Sequence, residues 1–70
     1  MDIQKLIGLN VRRHRMAAKI SQEELAARMD ADQAYISRLE AGHKNPTATT
    51  IEQIANALSI EAKMLFEKSK

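Results

Sequence analysis

The sequence predicts a single all-α domain spanning residues 1–70, built as five short helices with brief connections. Three observations predict it. Apolar residues return at intervals of three and four, the period of one helix face, over most of the chain. Helix-starting residues, Asp2, Ser21, Asp32 and Thr47, stand just ahead of those runs. Gly42 and the sole proline, Pro46, fall between runs rather than inside them.

The first helix covers about residues 2–18, with Asp2 as its cap and Ile3, Leu6, Ile7 and Val11 as its apolar face. Arg12, Arg13 and Arg15 crowd its second half. For Arg12 and Arg13 such a run reads as a solvated face.

The chain is organised around residues 21–42, SQEELAARMDADQAYISRLEAG. Ser21 followed three places later by Glu24 forms a capping box, so that a helix starts at Gln22 and places Leu25, Ala26 and Met29 on one apolar face. Residues 30–32 interrupt it after two turns. Asp32 then caps a second helix in which Ile36 and Leu39, with Ala41, face inward while Gln33, Ala34, Ser37 and Arg38 point out. Gly42 ends it in a left-handed cap. Two short helices across a tight turn, the second with a polar outer face, form a helix-turn-helix, whose second helix enters the major groove of DNA.

Residues 43–46 form a loop, and Thr47 caps a helix to Leu58 with Ile51, Ile54, Ala55 and Leu58 inside. Ser59 and Ile60 break it. Residues 61–67 make a last short helix whose Met64, Leu65 and Phe66 serve either a dimer contact or plain core packing. With only two aromatics, Tyr35 and Phe66, the core is expected to be aliphatic and Met-rich.

Composition narrows the function. The chain lacks Cys, which excludes a disulfide scaffold, a thiolate zinc site and a Cys nucleophile. Two separated His, no Gly-rich phosphate loop and no clustered acid pair leave no nucleophile–base set, so neither an enzyme nor a metal, cofactor or small-molecule site is expected. No apolar run is long enough to span a membrane and no signal peptide is evident, and the expectation is a cytoplasmic protein. The net charge of +2 is unevenly spread. Residues 1–20 carry +4, residues 21–42 carry −3 and residues 43–70 carry +1. The DNA-reading stretch is therefore not basic, and affinity has to come from a few placed contacts and helix N-termini.

Four words, SQEELA at 21–26, YISRLEAG at 35–42, NP at 45–46 and IEQIANAL at 51–58, resemble the Cro and phage-repressor (XRE) family of DNA-binding domains. The resemblance covers roughly residues 6–66 and implies a lambda-repressor-like bundle. It also implies an Arg15–Glu40 bridge between the first helix and the end of the motif. His14 stands where the family usually has an apolar residue, and is read as a packed histidine with one nitrogen satisfied. Lys19 and Asp30 stand where the family commonly has Gly. A left-handed Lys19 costs on the order of 1 kcal/mol against Gly, whereas Asp tolerates that conformation better.

The family's contact positions fall on Gln22 for phosphate and on Gln33, Ala34 and Arg38 for bases, with Ser37 and Tyr35 nearby. Gln pairs twice with adenine, Ala34 meets a thymine methyl, Arg38 either pairs twice with guanine or binds phosphate only, and Ser37 is either a base contact or simply small enough to let the helix sit deep. Tyr35, His43, Lys44, Asn45 and Thr47 offer further phosphate donors, favoured by the N–H groups of the next helix start. The implied partner is double-stranded DNA, read by a homodimer on a palindromic operator with half-sites about 10 base pairs, or a multiple, apart. Chains of this length and pattern also resemble the controller proteins of restriction-modification systems. The competing reading is a helix-turn-helix used as a protein-interaction module, an antitoxin or adaptor, favoured by the negative charge of the motif.

Overall fold

The computed structural model describes residues 2–68. Among them the chain forms four α-helices, α1 (Ile3–Ala17), α2 (Gln22–Arg28), α3 (Gln33–Glu40) and α4 (Ala48–Leu58), followed by a 3₁₀ helix (Ala62–Phe66), and no strand. The fifth element is thus a tight 3₁₀ turn of five residues rather than a fifth α-helix.

The starts follow the expected caps with two exceptions. The Asp2 carboxylate accepts from the N–H groups of Gln4 and Lys5, Ser21 Oγ from that of Glu24, and Thr47 Oγ1 from that of Thr50. The Glu24 carboxylate does not complete a capping box. It accepts from Arg28 Nε at 3.0 Å, and Arg28 Nη1 in turn donates to the Ala57 carbonyl, so a charged partner outcompetes the Ser21 amide. Asp32 occupies the cap position of α3 without making a side-chain cap bond.

The ends share one device. After each α-helix one residue turns left-handed: Lys19 (φ 61), Asp30 (φ 54), Gly42 (φ 82) and Ser59 (φ 57). The next amide reaches back to a carbonyl in the last turn: Ile20 to Arg15, Ala31 to Ala26, His43 to Arg38 and Ile60 to Ala55. This is the Schellman pattern, which satisfies carbonyls that a helix end leaves unpaired. Only one of the four positions is Gly. Ile20 and Ile60 sit directly after the turn and pack against the core, supplying the apolar contact that usually accompanies the motif.

The core joins Ile7 and Val11 of α1, Leu25 and Ala26 of α2, Ile36 and Leu39 of α3, Ile51, Ile54, Ala55 and Leu58 of α4, and Leu65 of the 3₁₀ helix. Each large aliphatic member contributes about 1.5–3 kcal/mol by leaving water. The core is aliphatic but not Met-rich. Met29 lies at its edge, Met64 is half-buried, and Met16 is exposed on the outer side of α1. Ala41, expected inside, is exposed, because α3 has already ended at Glu40. Ile3 is also exposed.

α1 crosses α3 at Gly8. A Cβ there would stand inside contact distance of the Leu39 carbonyl oxygen and 2.9 Å from that of Glu40. Asn10 ties the C-terminal turn to α1, its Nδ2 donating to the carbonyls of Leu65 (2.9 Å) and Glu67 (2.8 Å) while its Oδ1 accepts from Arg13 Nη2. Arg12 and Arg13 are both exposed, as a solvated face requires, and Arg13 adds this one bond to Asn10.

Candidate nucleic-acid interface

Burial of Ile36 and Leu39 fixes the rotation of α3 about its axis, and that rotation leaves Gln33, Ala34, Ser37 and Arg38 exposed together on the opposite side. No other helix among the described residues covers them. With eight residues α3 is about 12 Å long, close to the width of the major groove.

Behind this edge lies a continuous hydrogen-bonded chain. Arg15 Nε meets Glu40 Oε2 at 2.6 Å and Arg15 Nη2 meets Glu40 Oε1 at 3.1 Å, a two-pronged pair whose side chains are only 13% and 5% exposed. The third guanidinium nitrogen, Nη1, donates to the Ile20 carbonyl at 2.8 Å. The hydrogen bond to Glu40 raises the Arg15 pKa above its ordinary value, against the opposing effect of desolvation. Gln22 Nε2 donates to Glu40 Oε1 at 3.1 Å, and Gln33 Nε2 donates to Gln22 Oε1 at 2.9 Å. Thus three elements, α1, α2 and α3, are tied by four side chains that end at the exposed Gln33.

The carboxylates of the motif are less of an obstacle than their number suggests. Glu40 is enclosed and paired with Arg15, and Glu24 is paired with Arg28. Glu23, Asp30 and Asp32 remain on the surface.

The second cluster lies in the loop from α3 to α4. Tyr35 is half-buried, packed against the core, with Lys44 Nζ 5.7 Å from the centre of its ring. Burial pushes the Tyr35 phenol pKa up, so it keeps its proton at neutral pH and can donate to an anionic oxygen. His43 and Asn45 are exposed and Lys44 is half-buried. Thr47 has a prior engagement: its hydroxyl caps α4 and lies 3.0 Å from Thr50 Oγ1, so the donors there are the first amides of α4.

Two expectations about other residues change. Leu65 is fully buried in the core and cannot be an intermolecular contact; of the terminal trio, Phe66 is 44% exposed and Met64 half-buried. His14 is half-buried, and its Nε2 is enclosed without a hydrogen-bond partner among the described residues. Sequence reasoning also missed Leu9 and Met16, 55% and 56% exposed, which flank Arg12 and Arg13 on α1. Their spacing of seven with the arginines between was the available signal. None of the described residues forms a cluster of His, Asp or Glu able to hold a metal ion, and no described helix is long and apolar enough to cross a membrane.

A helix-turn-helix family profile matches residues 11–65, which takes in the last turns of α1, the whole motif, α4 and the 3₁₀ helix. The chain belongs to the XRE family of helix-turn-helix proteins. Members of this family are DNA-binding transcription regulators rather than a class of enzymes. Among XRE relatives, it is 43% identical over 60 residues to an HTH-type transcriptional regulator of Sinorhizobium fredii, matching 86% of this chain and 78% of that protein. The restriction-modification controller protein C.AhdI of Aeromonas hydrophila has a similar structure, with a TM-score of 0.86 and 35% identity over 90% of this chain and 96% of that one. A tetramer of the controller protein C.Esp1396I in complex with its natural 35 base-pair operator is also similar, with a TM-score of 0.82 and 25% identity over 91% of this chain and 84% of that one.

Proposed function

We propose that this chain is a sequence-specific DNA-binding transcriptional regulator that acts as a dimer on a palindromic operator. The observation that carries the reading is the exposed edge of α3: four residues with base-reading chemistry or small size are exposed together on one side of a helix whose other side is locked into the core.

In this reading α3 lies in the major groove. Arg38 pairs with guanine O6 and N7, Gln33 with adenine N6 and N7, Ala34 packs on a thymine methyl, and Ser37 is small enough to let the helix sit deep. The duplex backbone is held on both sides. Gln22 and the first amides of α2 take one phosphate, while the Tyr35 hydroxyl, His43, Lys44, Asn45 and the amides after Thr47 take another. Glu40 and Arg15 contribute rigidity. A second copy joins through the exposed ring of Phe66 with Met64 beside it, which sets the spacing between two recognition helices at one helical turn or a multiple. The controller-protein likeness supports a role in restriction-modification control as the specific form of this activity.

Retention on random-sequence duplex DNA tests the reading. Binding is expected at low salt, with release as salt rises and a log–log slope of roughly −0.9 per phosphate contacted. An absence of retention at low salt would favour the protein-interaction module instead.

A further inference from the structure

We infer that Glu40, held by Arg15, is a positioning residue that sets which way round the Gln33 amide faces the DNA, and so fixes an adenine preference. The inference rests on the DNA reading proposed above.

Donor and acceptor polarity sets the orientation. An amide side chain can usually turn over, exchanging its oxygen for its NH₂ group with little change of shape. Here it cannot do so freely, because the chain of bonds starts from a group with only one polarity. The Arg15 guanidinium has only donors, and an ionised carboxylate has only acceptors. Glu40 Oε1, 3.1 Å from Gln22, therefore demands that Gln22 present its NH₂ there. That leaves Gln22 Oε1 on the outer side, where Gln33 Nε2 donates to it at 2.9 Å. Gln33 is left with its carbonyl oxygen and one N–H for a ligand. This is the complement of adenine in the major groove, N6–H₂ as donor and N7 as acceptor. Guanine, with acceptors at both O6 and N7, would face the Gln33 oxygen with another oxygen.

Turning Gln33 over would place its oxygen against Gln22 and two N–H groups outward, which suits guanine. Turning it requires Gln22 to turn as well, and that brings the Gln22 oxygen against the Glu40 carboxylate. Because Glu40 is enclosed at 5% exposure, water does little to relieve that repulsion. An enclosed ion pair behind the exposed edge thus specifies a base that it does not touch.

The test measures the adenine-to-guanine binding ratio at each operator position for the full chain. The position read by Gln33 is identified as the one whose preference Gln33→Ala removes. There the wild type is expected to favour adenine by on the order of 5- to 150-fold, the worth of one good bidentate pair. Glu40→Ala frees Gln22 to turn and is expected to reduce that ratio at least several-fold, leaving ratios at other positions in place. Gln22→Leu cuts the same chain without disturbing the Arg15–Glu40 pair, so it serves where Glu40→Ala folds poorly, and it is expected to give the same loss at the same position. A folded Gln22→Leu or Glu40→Ala protein that keeps the wild-type ratio would overturn the inference while leaving base reading by Gln33 intact. If no adenine preference responds to Gln33→Ala, the base-reading role of Gln33 is wrong, and the inference falls with it.

Discussion

Gly8 and Leu39 meet backbone to backbone: nothing larger than a hydrogen fits between the α carbon of one and the carbonyl oxygen of the other. This crossing sets α3 against α1, and with it the orientation of the exposed edge. Gly8→Ala is expected to force the helices apart and to destabilise the domain by about 1–3 kcal/mol, although Ala is the better helix former. Thermal unfolding checks it. A melting temperature equal to or above wild type would show that the crossing is not close-packed.

Breaking the Arg15–Glu40 pair from either side should be costly. Glu40→Ala strands a guanidinium whose side chain is 13% exposed, and a loss of about 3 kcal/mol is expected. Denaturant unfolding would report it as a lower midpoint. An unchanged midpoint would mean that the bridge contributes nothing net.

The left-handed Lys19 gives a prediction of opposite sign. Its φ of 61 is a conformation that Gly adopts without a Cβ penalty. Lys19→Gly is therefore expected to stabilise by up to about 1 kcal/mol, raising the melting temperature by a few degrees in a domain of this size. A decrease would show that the Lys19 side chain makes a compensating interaction.

Arg38 and Lys44 separate reading from holding. Arg38→Ala is expected to cost about 1–3 kcal/mol on the preferred operator and to relax preference at one position, whereas Lys44→Ala weakens all sequences alike and lowers the salt slope by about one. Equal losses for Arg38→Ala on preferred and scrambled duplexes would move Arg38 to the phosphate side.

Much of this was legible in the sequence because local chemistry and helical period agreed. Ser21, Thr47 and Asp2 announce their caps, and Ile36 with Leu39 set the face of α3 that turns inward. What was not legible depended on tertiary partners. Nothing near Gly8 in sequence indicates that a carbonyl from α3 will lie against it. Asn10 looks like a polar break in an apolar run, and becomes intelligible only when Leu65 and Glu67 present two carbonyls to it from the other end of the chain. The capping box failed for the same reason, since Arg28 offered Glu24 a better partner. At the interface, resemblance supplied Gln22 and Gln33 as separate positions. Their joining through Glu40 into a single chain of bonds is a property of the fold.

Whether the outer edge of α3 reads a symmetric DNA site is decided by selecting bound duplexes from a random pool with the full chain. The expected outcome is an inverted repeat whose half-sites lie about one helical turn, or a multiple of it, apart. A pool that emerges with no enriched sequence would refute reading by α3.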